Sequence, residues 1–427
     1  VYLLPPEEEN NSRLYHYSVM KPKKVVVIGG GAAGFFGAIS CARFNPEAEI
    51  MLLEKSNKFL SKVKVSGGGR CNVTNGSFDI NLLLKGYPRG AKALKYTFQR
   101  FSVKDTIEWF ESRGVELKQE EDGRIFPKSD NSQTIIDCLI REALVMGVRL
   151  MQGFGTKSIR KDENGGFSIQ LFGGESLHCD EILVATGGHS NKEAYQWLKD
   201  LGHEIKDPVP SLFTFNVPDS PFRDLQGISV PLAKVRITGS KLEETGPVLI
   251  THWGLSGPAV LKLSAWGARQ LAQEQYRFIA HVNWISGNEE SLRATLSDIK
   301  LLHPKKTVVG HSFFNLPRRL WERLCELSDI PTGLRWADLP KKNMNKLLEN
   351  LLRSEFCVKG KTTFKEEFVT CGGVSLDSID IHTMESKTCP GLFFAGEILD
   401  IDGITGGYNF QAAWSTGFVA GKSIAEK

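Results

Sequence analysis

The segment Val25-Val26-Val27-Ile28-Gly29-Gly30-Gly31-Ala32-Ala33-Gly34 restricts what this chain can fold into more than any other. An apolar, β-branched run enters G-x-G-x-x-G, a helix-compatible stretch follows from Phe35 to Phe44, and Ile50-Met51-Leu52-Leu53 then ends in an acid, Glu54. A nucleotide-binding βαβ unit requires this order. Gly29 permits the tight turn out of the strand, Gly31 removes a side chain from the path of a pyrophosphate, and Gly34 lets the helix close on the sheet. The helix start at Ala32 and Ala33 offers free amides and a positive dipole end to phosphates, and Glu54, followed by Lys55, stands at the ribose.

At 427 residues, two or three domains are expected. Lys and Arg are scattered among Asp and Glu and the formal charge is only +4, so the sequence predicts neither a nucleic-acid surface nor a membrane surface. The eight cysteines form no C-x-x-C and no regular spacing, which predicts reduced thiols of a cytoplasmic protein, with neither a metal site nor a disulfide framework. Residues 1–20 carry Pro5-Pro6-Glu7-Glu8-Glu9 and no apolar core of a signal peptide; they are read as an N-terminal extension.

Further along, a Gly-rich loop runs from Lys62 to Asn72, Ser102 to Asp105 resembles a capping box, and Ser132 is placed to cap a helix to Met146. Phe167–Leu171 and Ser176–Cys179 read as a hairpin, and Glu181-Ile182-Leu183-Val184-Ala185 reads as a buried strand running into Thr186-Gly187-Gly188. From about residue 191, prolines punctuate short β-like runs, and three helical patterns follow at Glu290–Leu301, Pro317–Leu327 and Lys341–Arg353. Gly391 to Glu397 then restores the strand-then-glycine style of the first half. The fold class expected is α/β, a Rossmann-like dinucleotide-binding domain interrupted by a β-rich and helical insert. Its parts are 21–190 and 367–427, around an insert at 191–366.

Five segments carry a closer likeness: Ser66 to Asn75 (SGGGRCNVTN), Gly123 to Pro127 (GRIFP), Thr251 to Pro258 (THWGLSGP), Thr370 to Val374 (TCGGV) and Gly396 to Asn409 (GEILDIDGITGGYN). Together with the fingerprint they resemble the BaiN/YhiN-like flavoprotein family over residues 22–425. Cys371 stands where members often carry a third glycine, and Trp253 where they carry Phe or Lys. The resemblance implies bound FAD, a three-layer FAD/NAD(P)-binding domain interrupted by a β-barrel-like plus helical insert, and a redox reaction on a small-molecule substrate, either reduction of an activated C=C bond or oxidation of a small amine. It places Gly67, Gly68, Arg70, Cys71 and Asn72 at the flavin ring, Thr156 at the adenine, Thr186, Gly187 and Gly188 along the cofactor, and Gly396 and Glu397 at the ribityl or pyrophosphate. Gly407, Tyr408, Asn409 and Phe410 form a helix start aimed at the ring, where amides and dipole stabilise negative charge on a reduced flavin.

The chain holds one G-x-G-x-x-G, so NAD(P)H, if it is the donor, has no dedicated Rossmann domain. Cys71 reads better as a packed residue than as a redox thiol, because no second cysteine is spaced to pair with it. His252 stands between a general acid and a turn residue, and no catalytic residue is assigned. Asp400 and Asp402 are expected to shape the 403–407 loop through Asx turns. His189 and His203 are expected to be packing or surface residues. Two rival readings are a flavin-binding regulatory protein without turnover and an NAD-dependent dehydrogenase without flavin.

Overall fold

A computed structural model describes residues 21–163, 165–362 and 369–427. The expected N-terminal extension and the last residues of the expected insert, 363–366, lie outside the described residues. Strand β1 (Lys24–Ile28) leads through the glycines into α1 (Ala32–Phe44) and returns as β2 (Glu49–Glu54). Helix α2 (Ser132–Val145), β3 (Arg149–Gln152), β4 (Glu181–Val184), β5 (Ile205–Ser211), β6 (Val369–Val374), β7 (Leu392–Phe394) and α3 (Tyr408–Glu426) complete the framework.

The central sheet is parallel, in the order β7-β4-β1-β2-β3. The last strand of the chain therefore joins a sheet begun at its start, as a split domain requires. Helices α1 and α3 pack closely, because Gly37, Gly417 and Gly421 meet across the crossing and a Cβ on Gly421 would lie 2.2 Å from the Gly37 carbonyl oxygen. A three-stranded antiparallel sheet (Thr156–Lys161, Phe167–Leu171, Ser176–Cys179) adds Ile159, Phe167, Ile169, Leu171 and Cys179 to the same core, as the third layer.

A second core draws on residues from Phe213 to Val358. Its seven-stranded sheet has Ser354–Lys359 at one edge and Lys361–Thr362 at the other, and only Gly360 separates these two in sequence. The sheet thereby closes on itself, which is the physical content of the barrel-like expectation. The three later helices form at Glu289–Leu302, Arg318–Leu327 and Lys341–Arg353. Two others, Pro258–Trp266 and Ala268–Gln273, lie in a stretch read as β-rich, where the Pro-initiated apolar run hid the helical period.

The cores part near Ser211 rather than at residue 191. Tyr195, Leu198 and Ile205 pack with the parallel sheet, and β5 pairs antiparallel with β6 as the two crossings into and out of the insert. Two local expectations also shift. Asn131, not Ser132, caps α2, its side chain accepting from the Gln133 amide at 2.9 Å, while Ser132 donates to the Lys64 carbonyl at 2.7 Å. The Ser102–Asp105 capping box forms as read and opens a helix at Val103–Glu111, where the sequence pattern places one at Thr106 to Arg113. Among the described residues no helix is long and apolar enough to cross a membrane.

Candidate cofactor site

The carboxyl ends of β1, β2, β4 and β7 converge on one region, where an open parallel sheet places its ligands. Gly29 has φ +115°, and a Cβ there would lie 2.3 Å from the Ala185 carbonyl oxygen, so the turn after β1 presses on the end of β4. Gly31 differs: a Cβ on it would meet nothing within 4 Å. It precedes α1 without a capping side chain or any acid in the first turn, which leaves the amides of Ala32, Ala33 and Gly34 outside the helical ladder. Glu54 braces this turn, its carboxylate accepting from the Gly30 amide at 3.0 Å and the Ser56 amide at 2.8 Å. Thr156 is brought to the same end, since the Phe154 amide donates to the Glu54 carbonyl at 2.9 Å, and its own Oγ1 is buried without a partner.

Gly396 and Glu397, after β7, lie across from this turn, with a Cβ on Gly396 2.8 Å from that of Ala33. Glu397 bridges three elements: Oε1 accepts from the Thr370 amide at 2.7 Å, Oε2 accepts from Lys62 at 2.8 Å, and Gly188 lies against Oε1. Lys55 and His189 meet at 3.3 Å. Burial, then the charges of Lys55 and Lys62, holds the His189 imidazole below its usual range. Neither His189, expected to be a packing or surface residue, nor Lys62, at the start of the Gly-rich loop, carries a local sequence signal for this position. Lys55 and Lys62 make a cationic rim beside Glu54 and Glu397, which His189 joins only as the hydrogen-bonding partner of Lys55, and the tertiary fold alone assembles it.

The second half of the site interlocks the Gly-rich loop with the start of α3. Residues Ser66 to Gly68 leave the helical conformation, and Gly67, Gly68 and Gly69 all have positive φ. A Cβ on Gly68 or Gly69 would meet nothing within 4 Å, so backbone faces the open side. The Arg70 guanidinium is held elsewhere, 3.9 Å over the Phe126 ring and paired with Glu120 at 2.6 Å and Asp130 at 3.5 Å. It anchors the loop on the 117–127 hairpin. Cys71 is fully buried at φ +62°, and burial pushes its thiol up to about 12, so it packs as a neutral group.

Asn72, with its amide oriented to satisfy both ends, donates to the Thr74 and Ile125 carbonyls and accepts from the Gly407 amide at 3.0 Å. Asn75 donates to the Gly406 carbonyl at 3.1 Å, and Thr74 donates to Gln411 at 2.5 Å. Gly407 has φ +92°, and a Cβ there would stand 2.4 Å from the Thr74 carbonyl carbon and oxygen. Helix α3 likewise starts without a side-chain cap or an acid in its first turn. Tyr87 fixes Tyr408 through its carbonyl at 2.7 Å, Asn409 closes the 403–409 loop by bonding both backbone groups of Gly403, and Phe410 stacks on Trp414.

Asp400 and Asp402 do not make the expected Asx turns. Asp402 is fully buried and accepts from Arg89 and Ser211, and Asp400 pairs with Arg269 at 2.7 Å. Both tie the parallel-sheet body to the insert, with Arg89 also donating to the Ala265 carbonyl. His252 is exposed on the insert with its ring 4.4 Å from that of Trp253. His203 is buried, Nδ1 on the Leu198 carbonyl and Nε2 on Ser386, so its role is internal. Among the described residues no group of His, Cys, Asp or Glu side chains could hold a metal ion.

Two helix N-termini without side-chain caps, glycines at 31, 68, 69 and 187 whose added Cβ would meet nothing within 4 Å, and the nearby Lys55 and Lys62 fit a dinucleotide with a diphosphate at the first helix and a ring at the second. The description HI0933-like protein Rossmann domain belongs to a family model that matches residues 23–423. The 3-dehydro-bile acid delta(4,6)-reductase of Clostridium scindens is 29% identical over 403 residues, covering 92% of this chain and 97% of the relative. The ribosomal RNA dihydrouridine synthase of Escherichia coli is 29% identical over 384 residues, covering 88% of this chain and 92% of the relative. Among solved structures, the 3-ketosteroid-delta4-(5alpha)-dehydrogenase of Rhodococcus jostii RHA1 aligns with a TM-score of 0.50 at 13% identity, over 96% of this chain and 99% of that one, a likeness of fold.

Proposed function

For a chain that belongs to the HI0933-like family of FAD-dependent oxidoreductases, we propose a reductase that saturates a carbon–carbon double bond conjugated to a carbonyl. One observation carries this reading. Two relatives that align with nearly the whole chain are named for different molecules, a 3-dehydro-bile acid and a uridine of ribosomal RNA, yet both names describe saturation of a ring C=C conjugated to a carbonyl. This favours C=C reduction over oxidation of a small amine. It also supports turnover over a purely regulatory flavin protein.

When bound, reduced FAD supplies a hydride equivalent for the β-carbon of such an alkene. The residues of this chain bind and orient. The α1 amides of Ala32 and Ala33 hold the diphosphate, with Lys55 and Lys62 offsetting its charge. Glu54 fixes the turn at the adenosine end, near Thr156. Gly67 to Gly69 present backbone to the ring, and the uncapped α3 start at Gly407 to Phe410 aims its dipole there. Arg70, Cys71 and Asn72 position that loop. With one dinucleotide fingerprint in the chain, NAD(P)H as electron donor would meet the exposed ring or the insert.

The test is anaerobic. Photoreduced protein is mixed with a 3-keto-Δ4 steroid, a uridine-containing RNA or a simple enone, and the flavin band is followed. Reoxidation by at least one of these acceptors is expected. Bleaching of the oxidised protein by a small amine, with no reoxidation by any conjugated alkene, would reverse the direction assigned.

A further inference from the structure

We propose that Thr370 is a cofactor ligand, its hydroxyl hydrogen-bonding the ribityl chain of FAD. The inference rests on the FAD assignment of the site and gives a role to the first residue of the Thr370 to Val374 segment. Thr370 is completely buried, and its Oγ1 has no hydrogen-bond partner. A buried hydroxyl left unpaired is destabilising, and such groups are few in folded proteins.

Its surroundings are those of the cofactor wall. The Thr370 amide donates to Glu397 Oε1 at 2.7 Å, and Glu397 Oε2 accepts from Lys62 at 2.8 Å, so strand and carboxylate are fixed together. Gly188 faces both: a Cβ on it would lie 2.4 Å from Thr370 Oγ1 and 2.6 Å from Glu397 Oε1. Gly188 therefore packs directly on these two groups, and any side chain at 188 would clash with them. At Gly187, next to it, a Cβ would meet nothing within 4 Å. A carboxylate beside a hydroxyl offers acceptors and a donor, which is the hydrogen-bonding set of a polyol. The ribityl chain, not the diphosphate, is the matching segment.

Thr370→Val keeps the shape and removes the hydroxyl, so the two states of the protein should respond in opposite directions. Apo Thr370→Val is expected to melt at or above the temperature of apo wild type, because an unpaired buried hydroxyl is gone. Its FAD dissociation constant should rise about tenfold, the equivalent of one lost hydrogen bond. Thr370→Ser should retain wild-type FAD affinity. ADP, which carries the diphosphate without ribityl, should bind wild type and Thr370→Val equally. FAD affinity unchanged in Thr370→Val overturns the inference, and an equal loss for ADP overturns the ribityl assignment. If the valine variant does not fold, Thr370→Ser against Thr370→Ala gives the same comparison. Wild-type protein that takes up no FAD would overturn the cofactor reading, and the inference with it.

Discussion

His203 shows how a single buried side chain writes a pH dependence into this fold. Its Nδ1 faces the Leu198 carbonyl at 3.1 Å and its Nε2 faces Ser386 Oγ at 2.8 Å, so the ring serves as a neutral donor and acceptor. Burial holds its pKa below the ordinary 6.5. The unfolded chain then binds a proton more readily than the native one as pH falls from 6.5 toward the depressed native value. The stability held above 6.5 is therefore lost in that window, at no more than about 1.4 kcal/mol per pH unit. Urea denaturation between pH 7.5 and 5 should show this slope in wild type and a flatter one in His203→Gln; parallel profiles would remove His203 as the cause. Cys71 is a residue whose part was legible in the sequence, because a lone cysteine among glycines has nothing to pair with. Arg70 reads from sequence as a residue edging the flavin ring, because three glycines stand beside it. That its guanidinium lies on Phe126 between Glu120 and Asp130 depends on a hairpin some fifty residues away, which no local pattern encodes.

At the scale of elements, the α1–α3 crossing decides whether the split domain closes. Gly421 would place a Cβ 2.2 Å from the Gly37 carbonyl oxygen, and Gly417 one 2.6 Å from that of Ala33. Gly421→Val should cost about 1–3 kcal/mol or more by overpacking. Lys422→Ala, one residue on, should lie within about 0.5 kcal/mol of wild type in the same urea titration. Equal effects of the two would mean that the helices are not in close contact. The βαβ unit, the capping box at Ser102 and the three later helices of the insert could be read from sequence because each is a local pattern of period and cap. The 258–273 helices and the boundary near Ser211 could not. The first follow Pro258 in an apolar run without a clean period, and the second is set by β5 pairing with β6 across more than 150 intervening residues.

The whole molecule is two cores joined by paired strands and by charge. Arg89 and Asp402 form a buried pair, with Arg89 reaching the Ala265 carbonyl in the insert. Arg89→Met alone should cost about 3–5 kcal/mol, because it leaves a buried carboxylate unpaired, and Arg89→Met with Asp402→Leu should recover part of that loss. A double variant no more stable than the single one would argue that the pair does not act as a unit. The central claim is that one FAD site is built from both ends of the polypeptide, with β1–α1 at the diphosphate and the Gly407 start of α3 at the ring. The most direct measurement is a fluorescence titration of FAD into apo wild type and apo Gly407→Ala, a substitution far from Gly29 in sequence whose added Cβ would stand 2.4 Å from the Thr74 backbone. The account predicts tight, stoichiometric binding by wild type and at least a tenfold weaker constant for a folded Gly407→Ala, about 1.4 kcal/mol. Wild-type affinity in that variant, or a folded wild type that takes up no FAD, would contradict it.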